Sequence, residues 1–340
     1  MRKAIVLSTI LLILAATAAV LAFLPSGRRG PSDTFAVRPG DGASSLSRRL
    51  VQEGHLQSWQ RPAFVALARW RRLQGHLRPG LFQIPSSASP WRLVHLLETI
   101  DPQALRITLP EGRTCADFAG ILGRGWFGDS TGLAALCRDS AFARELGIPA
   151  ASLEGYLFPD TYVFDGGESP REIFTFLHRR FREVLGEIAD STAPVWKLHG
   201  LAGTVTLASI VEREAAVRSE APRIAGVFWL RLREGIPLGA DPTVRYALGK
   251  FTGTLSKTDL ALASPYNTRM FAGLPPGPIA NPGRLALQSA MKPDTSEGWL
   301  YFVAKDDGSR EHFFGRSLNE HVRYKNQAAR NRARSGVMTP

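Results

Sequence analysis

The stretch TLASIVEREAAV, residues 206–217, has the apolar spacing of a helix and contains two glutamates. Its spacing is that of one helix face, with positions i, i+3, i+4 and i+7 occupied by Leu207, Ile210, Val211 and Glu214. Glu212 lies about 200° around the same helix from Glu214 and is expected to point the other way. Burial raises the pKa of a carboxyl group, so a Glu at the end of an apolar stripe can serve as a proton donor. The alternative interpretation is a Glu at the rim of a core helix, paired with an Arg from another segment.

The composition is that of a folded protein whose positive charge is concentrated at its two ends. Of the 340 residues, 44% are hydrophobic and 21% are charged, which excludes a disordered chain and provides for a sizeable core. Residues 1–30 carry +4 and residues 321–340 carry +5 of the net +12, so the 290 residues between them carry the remaining +3. A nucleic-acid-binding protein needs a basic surface on its folded part. We therefore expect no nucleic-acid partner.

The two cysteines, Cys115 and Cys137, do not form a CxxC or Cys/His pattern of metal ligands. The sequence also contains no GxGxxG, Walker A, HExxH or GxSxG motif. We therefore predict neither a metal site nor a cofactor. Both cysteines fall on inward positions of helical patterns, which favours two buried free thiols. A disulfide is the alternative if the domain lies outside the cytoplasm.

The chain begins with a long apolar segment. Residues 4–24 hold no charge, and these 21 residues match the hydrocarbon thickness of about 30 Å when helical. We predict a short cytoplasmic stub and a single-pass transmembrane anchor over residues 1–24, followed by a Pro/Gly/Arg linker over 25–33. The remainder is then extracytoplasmic, and the protein is located in the plasma (inner) membrane.

The pattern after the linker predicts an α+β protein in two parts. A small α+β module covers residues 34–100, with strands near 35–37 and within 77–84 and helices starting near 44, 64 and 90. A larger mixed α+β domain covers 101–330, and a basic tail at 331–340 is expected to be disordered. The predicted elements of the larger domain are a strand at 105–109, helices at 115–122, 131–146, 170–185, 224–233, 242–248 and 318–330, and a hairpin of 299–305 with 311–314.

Two polar and aromatic segments are candidates for ligand contact. The stretch 151–164 (ASLEGYLFPDTYVF) embeds Glu154 and Asp160 among aromatic residues, as a sugar-binding cleft requires. The alternative for this stretch is a core loop whose aromatic side chains are buried for their area. Prolines stiffen the loop around 273–283, so Tyr266 and Asn267 nearby are candidate contacts.

Asp241 precedes Pro242 at the start of a predicted helix. Asp followed by Pro is typical of an N-cap residue followed by the first helical position. We therefore predict a capping role for Asp241. A direct catalytic role is the alternative.

The chain contains, in this order, LEGYLFPDTY, ASIVEREA, GADPTVRYALG, SPYNT, GLPPGPIANPG and YFVAKDDGSREHFF. In order and spacing, these six motifs resemble those of the endolytic murein transglycosylase (YceG-like) family. The resemblance is strong over residues 105–327, and the anchor and the module at 34–100 also fit, because the family carries a LysM-like subdomain there. Glu214 corresponds to the family's catalytic Glu, and Arg213 stands where Lys is usual.

The resemblance implies cleavage of peptidoglycan strands at internal bonds between N-acetylmuramic acid (MurNAc) and N-acetylglucosamine (GlcNAc). The product would carry a 1,6-anhydro-MurNAc end, and cell-wall synthases would be possible partners in terminating or trimming new strands. A lytic reaction needs one Glu that acts first as acid and then as base. Three alternatives stay open: a hydrolase that uses Glu214 with Asp241 or Glu154, an inert wall-binding scaffold, and a nucleic-acid binder.

Overall fold

The computed structural model describes residues 17, 20–26, 33–38, 40–124, 130–190 and 193–335. The chain divides into two compact units. The first consists of Met1–Ile107, Gly125–Gly128 and Thr161–Pro170, and the second of Thr108–Arg124, Asp129–Asp160 and Arg171–Pro340. The domain boundary predicted at residue 100 stays a prediction. The mixed α+β class is confirmed.

The first unit contains a strand–helix–helix–strand–helix sequence around its own core. Strands β1 and β2 pair antiparallel, with Phe35 opposite Phe82, and both rings are buried. Ser89 caps α3 by accepting a hydrogen bond from the Arg92 N–H at 3.2 Å, and Pro90 takes the first helical position. The elements are β1 (Asp33–Val37), α1 (Ala43–Gln52), α2 (Arg61–Trp70), β2 (Gly80–Ile84), α3 (Pro90–Thr99), and the paired strands β3 (Leu105–Thr108) and β4 (Thr161–Phe164). Its relation to LysM modules stays a prediction.

The second unit is mainly helical and is built around α8, which packs against α9 and α12. A closing hairpin, β5 with β6, packs against the last helix. The elements are α4 (Cys115–Leu122), α5 (Ser130–Cys137), α6 (Ser140–Glu145), α7 (Pro170–Ile188), α8 (Pro194–Glu214), α9 (Ala221–Glu234), α10 (Asp241–Leu248), α11 (Lys257–Leu260), α12 (Arg284–Met291), β5 (Tyr301–Ala304), β6 (His312–Gly315) and α13 (Leu318–Ser335).

Helix α8 differs in four ways from the amphipathic helix predicted over residues 206–217. It begins earlier and is interrupted at Gly200, whose φ of 66° lies in the left-handed region that favours glycine. Every residue from Gly203 to Val211 is buried, so this part of the helix is enclosed on all sides rather than along one stripe. The helix ends at Glu214, because the Ala216 N–H turns back to the Glu214 carbonyl at 2.9 Å and leaves the helical hydrogen-bond pattern.

Two further predictions about helices were wrong. The single helix predicted over 131–146 is two helices, because the Asp139 carboxylate accepts hydrogen bonds from the Ala141 and Phe142 N–H groups and starts α6. The tail predicted to be disordered from residue 331 continues α13 to Ser335, and the Asn331 amide donates to the Lys305 carbonyl at 2.7 Å. Residues 336–340 lie outside the described part of the chain.

The cysteines are both buried and unbridged, as favoured from the sequence. The Cys137 Sγ donates to the Cys115 carbonyl at 3.4 Å, which joins α5 to α4.

The predicted anchor at 4–24 lies outside the described residues except for 17 and 20–24, and so does most of the predicted linker, 27–32. Among the described residues, no helix combines the length and the apolar character needed to cross a membrane.

Candidate active site

Glu214 is the last residue of α8 and lines a cavity of about 530 Å³. A volume of this size is in the range of small-molecule sites. The cavity walls come from α8, α9, the segment 236–239, the start of α10, strand β5 and α13. The chemically active side chains around Glu214 are Arg231, Asp241, Arg269, Tyr301, His321 and Lys325.

The two glutamates of the ASIVEREA motif have different surroundings, as their angular separation on the helix predicts. The Glu212 carboxylate accepts a hydrogen bond from the Gly283 N–H at 3.0 Å and lines a separate, much smaller cavity of about 30 Å³. The Glu214 carboxyl group makes no hydrogen bond or ion pair with any residue that the structure describes. Glu214 is therefore the one whose oxygens are available to a ligand.

The electrostatic surroundings of Glu214 suit a group that gives and takes a proton. Burial, followed by repulsion from the Asp241 carboxylate, raises the pKa of Glu214 to about 7, while Arg213 and Arg269 act in the opposite direction. A carboxyl group with this pKa is populated in both protonation states near neutral pH. It therefore meets the requirement for a general acid that must later serve as a base.

Asp241 does not cap α10, which corrects the prediction. The helix begins at Asp241 itself, its N-cap is Ala240, and no side-chain capping bond is made. The Thr243 N–H, which an Asp241 cap could have bound, donates instead to the Ala240 carbonyl at 3.2 Å. The Asp241 carboxylate instead accepts a hydrogen bond from Arg269 Nη1 at 2.6 Å, in the cavity of Glu214. The cavity thus contains a second carboxylate outside the ASIVEREA motif.

Five chemically active side chains of the cavity were not predicted from the sequence: Arg231, Arg269, Tyr301, His321 and Lys325. Arg231 donates to the carbonyl groups of Leu300 and Leu238, both at 2.7 Å, and so joins β5 to the segment after α9. An Arg within the apolar run of α9 is a signal that could have drawn attention to it. His321 and Lys325 stand at i and i+4 of α13, so the predicted helix already placed them on one face. Tyr301 had no distinguishing signal in its strand.

Glu154 is buried at a different cavity, of about 290 Å³, which Cys115, Cys137 and Tyr246 also line. Its carboxyl oxygens accept hydrogen bonds from the Cys115 N–H at 2.9 Å and from the Tyr246 hydroxyl at 3.4 Å. Burial raises the pKa of Glu154 to about 8, although these hydrogen bonds lower it. Glu154 does not line the Glu214 cavity. Its carboxyl group instead accepts hydrogen bonds from buried groups of the core.

The aromatic stretch around Glu154 is a core loop and not a sugar platform. Tyr156, Phe158, Tyr162 and Phe164 are all buried. Asp160 lies at the surface and pairs with Arg180 at 3.2 Å. The sequence pattern of aromatic residues close to carboxylates fits either a sugar-binding cleft or a core loop. The burial of these aromatic side chains favours the core loop.

The side chains of Tyr266 and Asn267 likewise contact other residues of the protein. Asn267 is fully buried, and its side-chain amide donates to the carbonyl groups of Leu260 at 3.0 Å and Leu262 at 2.9 Å, which leaves it unavailable to a ligand. The Tyr266 ring packs against that of Tyr246 with centroids 5.1 Å apart. Neither residue lines the Glu214 cavity.

The Pro/Gly-rich loop over 273–283 is anchored by Asn281, which is buried. Its side-chain oxygen accepts hydrogen bonds from the N–H groups of Gly155 at 3.0 Å and Leu157 at 3.2 Å. The loop therefore connects the region of Glu154 to the rest of the core. These contacts are structural, since they join the loop to the core.

A cavity of about 570 Å³ between α7 and α12 is as large as that of Glu214 but lacks its chemistry. Glu187 there is paired with Arg284, which lowers the pKa of the Glu187 carboxyl. Among the residues that the structure describes, no cluster of three or more His, Cys, Asp or Glu side chains could hold a metal ion. The Glu214 cavity is therefore the candidate active site.

Comparisons with known proteins found similar chains that carry names. The endolytic murein transglycosylase of Bacillus subtilis (strain 168) is 39% identical over 178 residues, which cover 51% of this chain and 47% of that protein. The endolytic murein transglycosylase of Streptococcus pneumoniae serotype 2 is 28% identical over 291 residues, which cover 73% of this chain and 51% of that protein. The chain thus spans about half the length of the curated relatives it matches.

The fold has a counterpart among solved structures. A crystal structure of a YceG-like protein from Listeria monocytogenes superposes with a TM-score of 0.59 at 25% identity, and the match covers 86% of this chain and 98% of that one. The model of the YceG-like family matches residues 35–327, which is most of the sequence. The chain therefore belongs to the YceG-like family.

Proposed function

We propose that the protein is a membrane-anchored endolytic peptidoglycan transglycosylase that cleaves internal MurNAc–GlcNAc bonds and leaves 1,6-anhydro-MurNAc ends. The relatives that are named for this activity support the proposal. The observation that carries it is Glu214, a carboxyl group with a pKa of about 7 and with no hydrogen-bond partner among the described residues, in a cavity of about 530 Å³.

The proposed reaction needs one carboxyl group in two protonation states. Protonated Glu214 donates its proton to the glycosidic oxygen as the bond to C1 breaks, and the GlcNAc alcohol leaves. The resulting Glu214 carboxylate then accepts the proton of the C6 hydroxyl group as its oxygen bonds to C1. Glu214 ends protonated again, so the cycle consumes no water. Because the nucleophile belongs to the substrate, it is present at a high effective concentration.

Asp241 contributes negative charge to the same cavity. Its carboxylate accepts a hydrogen bond from Arg269 Nη1 at 2.6 Å. A fixed negative charge stabilises the positive charge that develops on the sugar ring as the C1–oxygen bond breaks. It also opposes ionisation of Glu214 before the substrate binds.

The presence of Asp241 also favours a second candidate, a hydrolase. Hydrolysis requires one carboxyl group as acid and a second as base or nucleophile. Glu214 and Asp241 are two such groups in one cavity. The products differ by one water molecule, since a hydrolase leaves a reducing MurNAc and a lytic enzyme leaves the anhydro form.

The deciding experiment is mass analysis of the products that the full chain releases from isolated peptidoglycan. We expect anhydro ends from the wild type and a loss of cleavage of about 10²–10⁴-fold in Glu214→Gln. Reducing ends would replace the lytic assignment with the hydrolase. Full cell-wall function of Glu214→Gln in cells would favour an inert wall-binding scaffold instead.

The anchor, the location in the plasma (inner) membrane and the association with cell-wall synthases are part of the same proposal. The anchor and the location rest on the uncharged apolar run at 4–24, and the association with synthases rests on the resemblance to the family. Membrane fractionation of the full chain and of residues 25–340 tests the anchor. Recovery of both in the soluble fraction would contradict it.

A further inference from the structure

One side of the Glu214 cavity is formed by the C-terminal helix. His321 and Lys325 of α13 both line the cavity, and α13 packs against β5, which contributes Tyr301. The His321 ring lies against the Tyr301 ring with centroids 5.0 Å apart. The two α13 side chains follow each other at i and i+4, so they face the cavity together.

The other cations of the cavity are already engaged. Arg269 is paired with Asp241 at 2.6 Å, and the Arg231 guanidinium is used by the Leu300 and Leu238 carbonyl groups. Lys325 has no acidic partner within 4.0 Å and no hydrogen bond among the residues that the structure describes. Its ammonium group is therefore an open site for a negative charge.

His321 adds a second polar group without a hydrogen-bond partner in the described part of the chain. Its Nδ1 atom is buried and has no hydrogen-bond partner within the described part of the chain. Leaving a buried polar atom unpaired is unfavourable. Burial and the neighbouring Lys325 and Arg231 lower the pKa of His321, so its ring is neutral near pH 7 and adapts as donor or acceptor.

The substrate supplies such a group on only one of its two sugars. MurNAc carries a lactyl substituent, which holds the peptide stem and its carboxylates or, once the stem is removed, a free carboxylate of its own. GlcNAc has neither. Both sugars have a C6 hydroxyl group and similar β-1,4 bonds, so Glu214 by itself cannot choose between the two kinds of bond.

We infer that Lys325 and His321 form a carboxylate-binding subsite that recognises MurNAc and places it with its C1 at Glu214. This inference rests on the proposed function and adds the basis on which one of the two bonds is chosen. The lactyl carboxylate and the stem carboxylates share the chemistry that the subsite needs. The substrates in the test separate them.

The test measures binding and cleavage with the full-length protein in detergent. The substrates are soluble peptide-bearing strands, strands whose stems an amidase has removed, and peptide-bearing strands whose carboxylates have been converted to amides. The variants are Lys325→Gln and Lys325→Arg. The matched control is Arg323→Gln on the same helix, since Arg323 is exposed, lies over the Tyr324 ring and does not line the cavity.

We expect Lys325→Gln to raise the Kd and KM about five- to tenfold for substrates with free carboxylates, a size typical of one charge-assisted contact. Amidated strands should bind all variants equally, and Lys325→Arg and Arg323→Gln should resemble the wild type. A loss confined to peptide-bearing strands assigns the stem carboxylate, and a loss confined to stripped strands assigns the lactyl group.

Equal binding by Lys325→Gln and wild type, or a loss of the same size with amidated strands, would overturn the subsite. Anhydro products from the wild type would then leave the proposed function standing. Carboxylate-dependent binding without any cleavage by the wild type would contradict the proposed function and support the binding site. The two failures are therefore distinguishable.

Discussion

Glu214 and Glu154 are both shielded carboxyl groups, and burial raises both pKa values, to about 7 and about 8. They differ in what surrounds the oxygens. Glu154 accepts hydrogen bonds from the Cys115 N–H and the Tyr246 hydroxyl. Glu214 has no such partner among the described residues and lines a cavity of about 530 Å³. A raised pKa reports burial, and the unused hydrogen-bonding capacity separates the candidate acid from the structural one.

The strongest test of this comparison is Glu214→Gln, which retains the shape and removes the proton. We expect cleavage to fall by about 10²–10⁴-fold, the usual contribution of a positioned general acid, while the melting temperature stays close to that of the wild type. Product release from peptidoglycan, followed by mass spectrometry, measures the loss.

Glu212→Gln is the matched control two residues away. Its amide oxygen can still accept the Gly283 N–H, so activity should change less than about tenfold. Equal losses in the two variants would remove the distinction between the two glutamates.

The same comparison predicts a stability effect at Glu154. Glu154→Leu leaves the Cys115 N–H and the Tyr246 hydroxyl without their acceptor and should lower the free energy of unfolding by about 3 kcal/mol. Glu154→Gln provides an acceptor and a donor and should be close to neutral at pH 5. Denaturant unfolding measures both, and a stable Glu154→Leu protein would argue against a structural role.

The pH dependence of stability sharpens the role of Glu154 further. Its folded pKa of about 8 lies above the ordinary value of 4.5, so the folded state binds a proton that the unfolded state has lost. The contribution is complete below pH 4.5 and is lost as the pH rises through about 8.

Relative to Glu154→Gln, the wild type should therefore lose about 2 kcal/mol between pH 5 and pH 7. Unfolding free energies of the two proteins at several pH values measure the difference. A constant difference across this range would contradict the raised pKa.

The smallest expected effect is on the pH at which kcat/KM falls on the alkaline side of its pH profile. Because Glu214 must be protonated to donate, kcat/KM should fall as the pH rises through about 7. Asp241→Asn removes the charge that raises this pKa and should move the limb to lower pH. Arg269→Gln removes a charge that lowers it and should move the limb to higher pH. Shifts in the same direction would show that the Asp241–Arg269 pair does not act through Glu214.

The sequence was most informative where a local pattern determines the structure. The helix predicted at 115–122 has the observed bounds, and the angular separation of Glu212 from Glu214 on one helix correctly predicted their different surroundings. Local chemistry also explains the error at Asp139, whose side chain starts a new helix inside a continuous helical pattern.

Contacts between distant segments could not be predicted. The pairing of Asp241 with Arg269 and the hydrogen bond from Arg231 to Leu300 depend on how α9, α10 and β5 pack, which no local spacing specifies. The same holds for Asn267, because an Asn in a stiff loop can serve a ligand or the loop itself. Burial in the folded chain decides between these roles.

Glu214 ends α8, and this position bears on inhibition as well as on catalysis. The carbonyl groups that lack partners at the end of a helix give it a partial negative charge, equivalent to about half an electron. Together with Asp241, this end of the helix should attract a cation. A sugar analogue with a protonated ring nitrogen should therefore bind more tightly than its neutral counterpart, and adding a carboxylate that reaches Lys325 should strengthen it further.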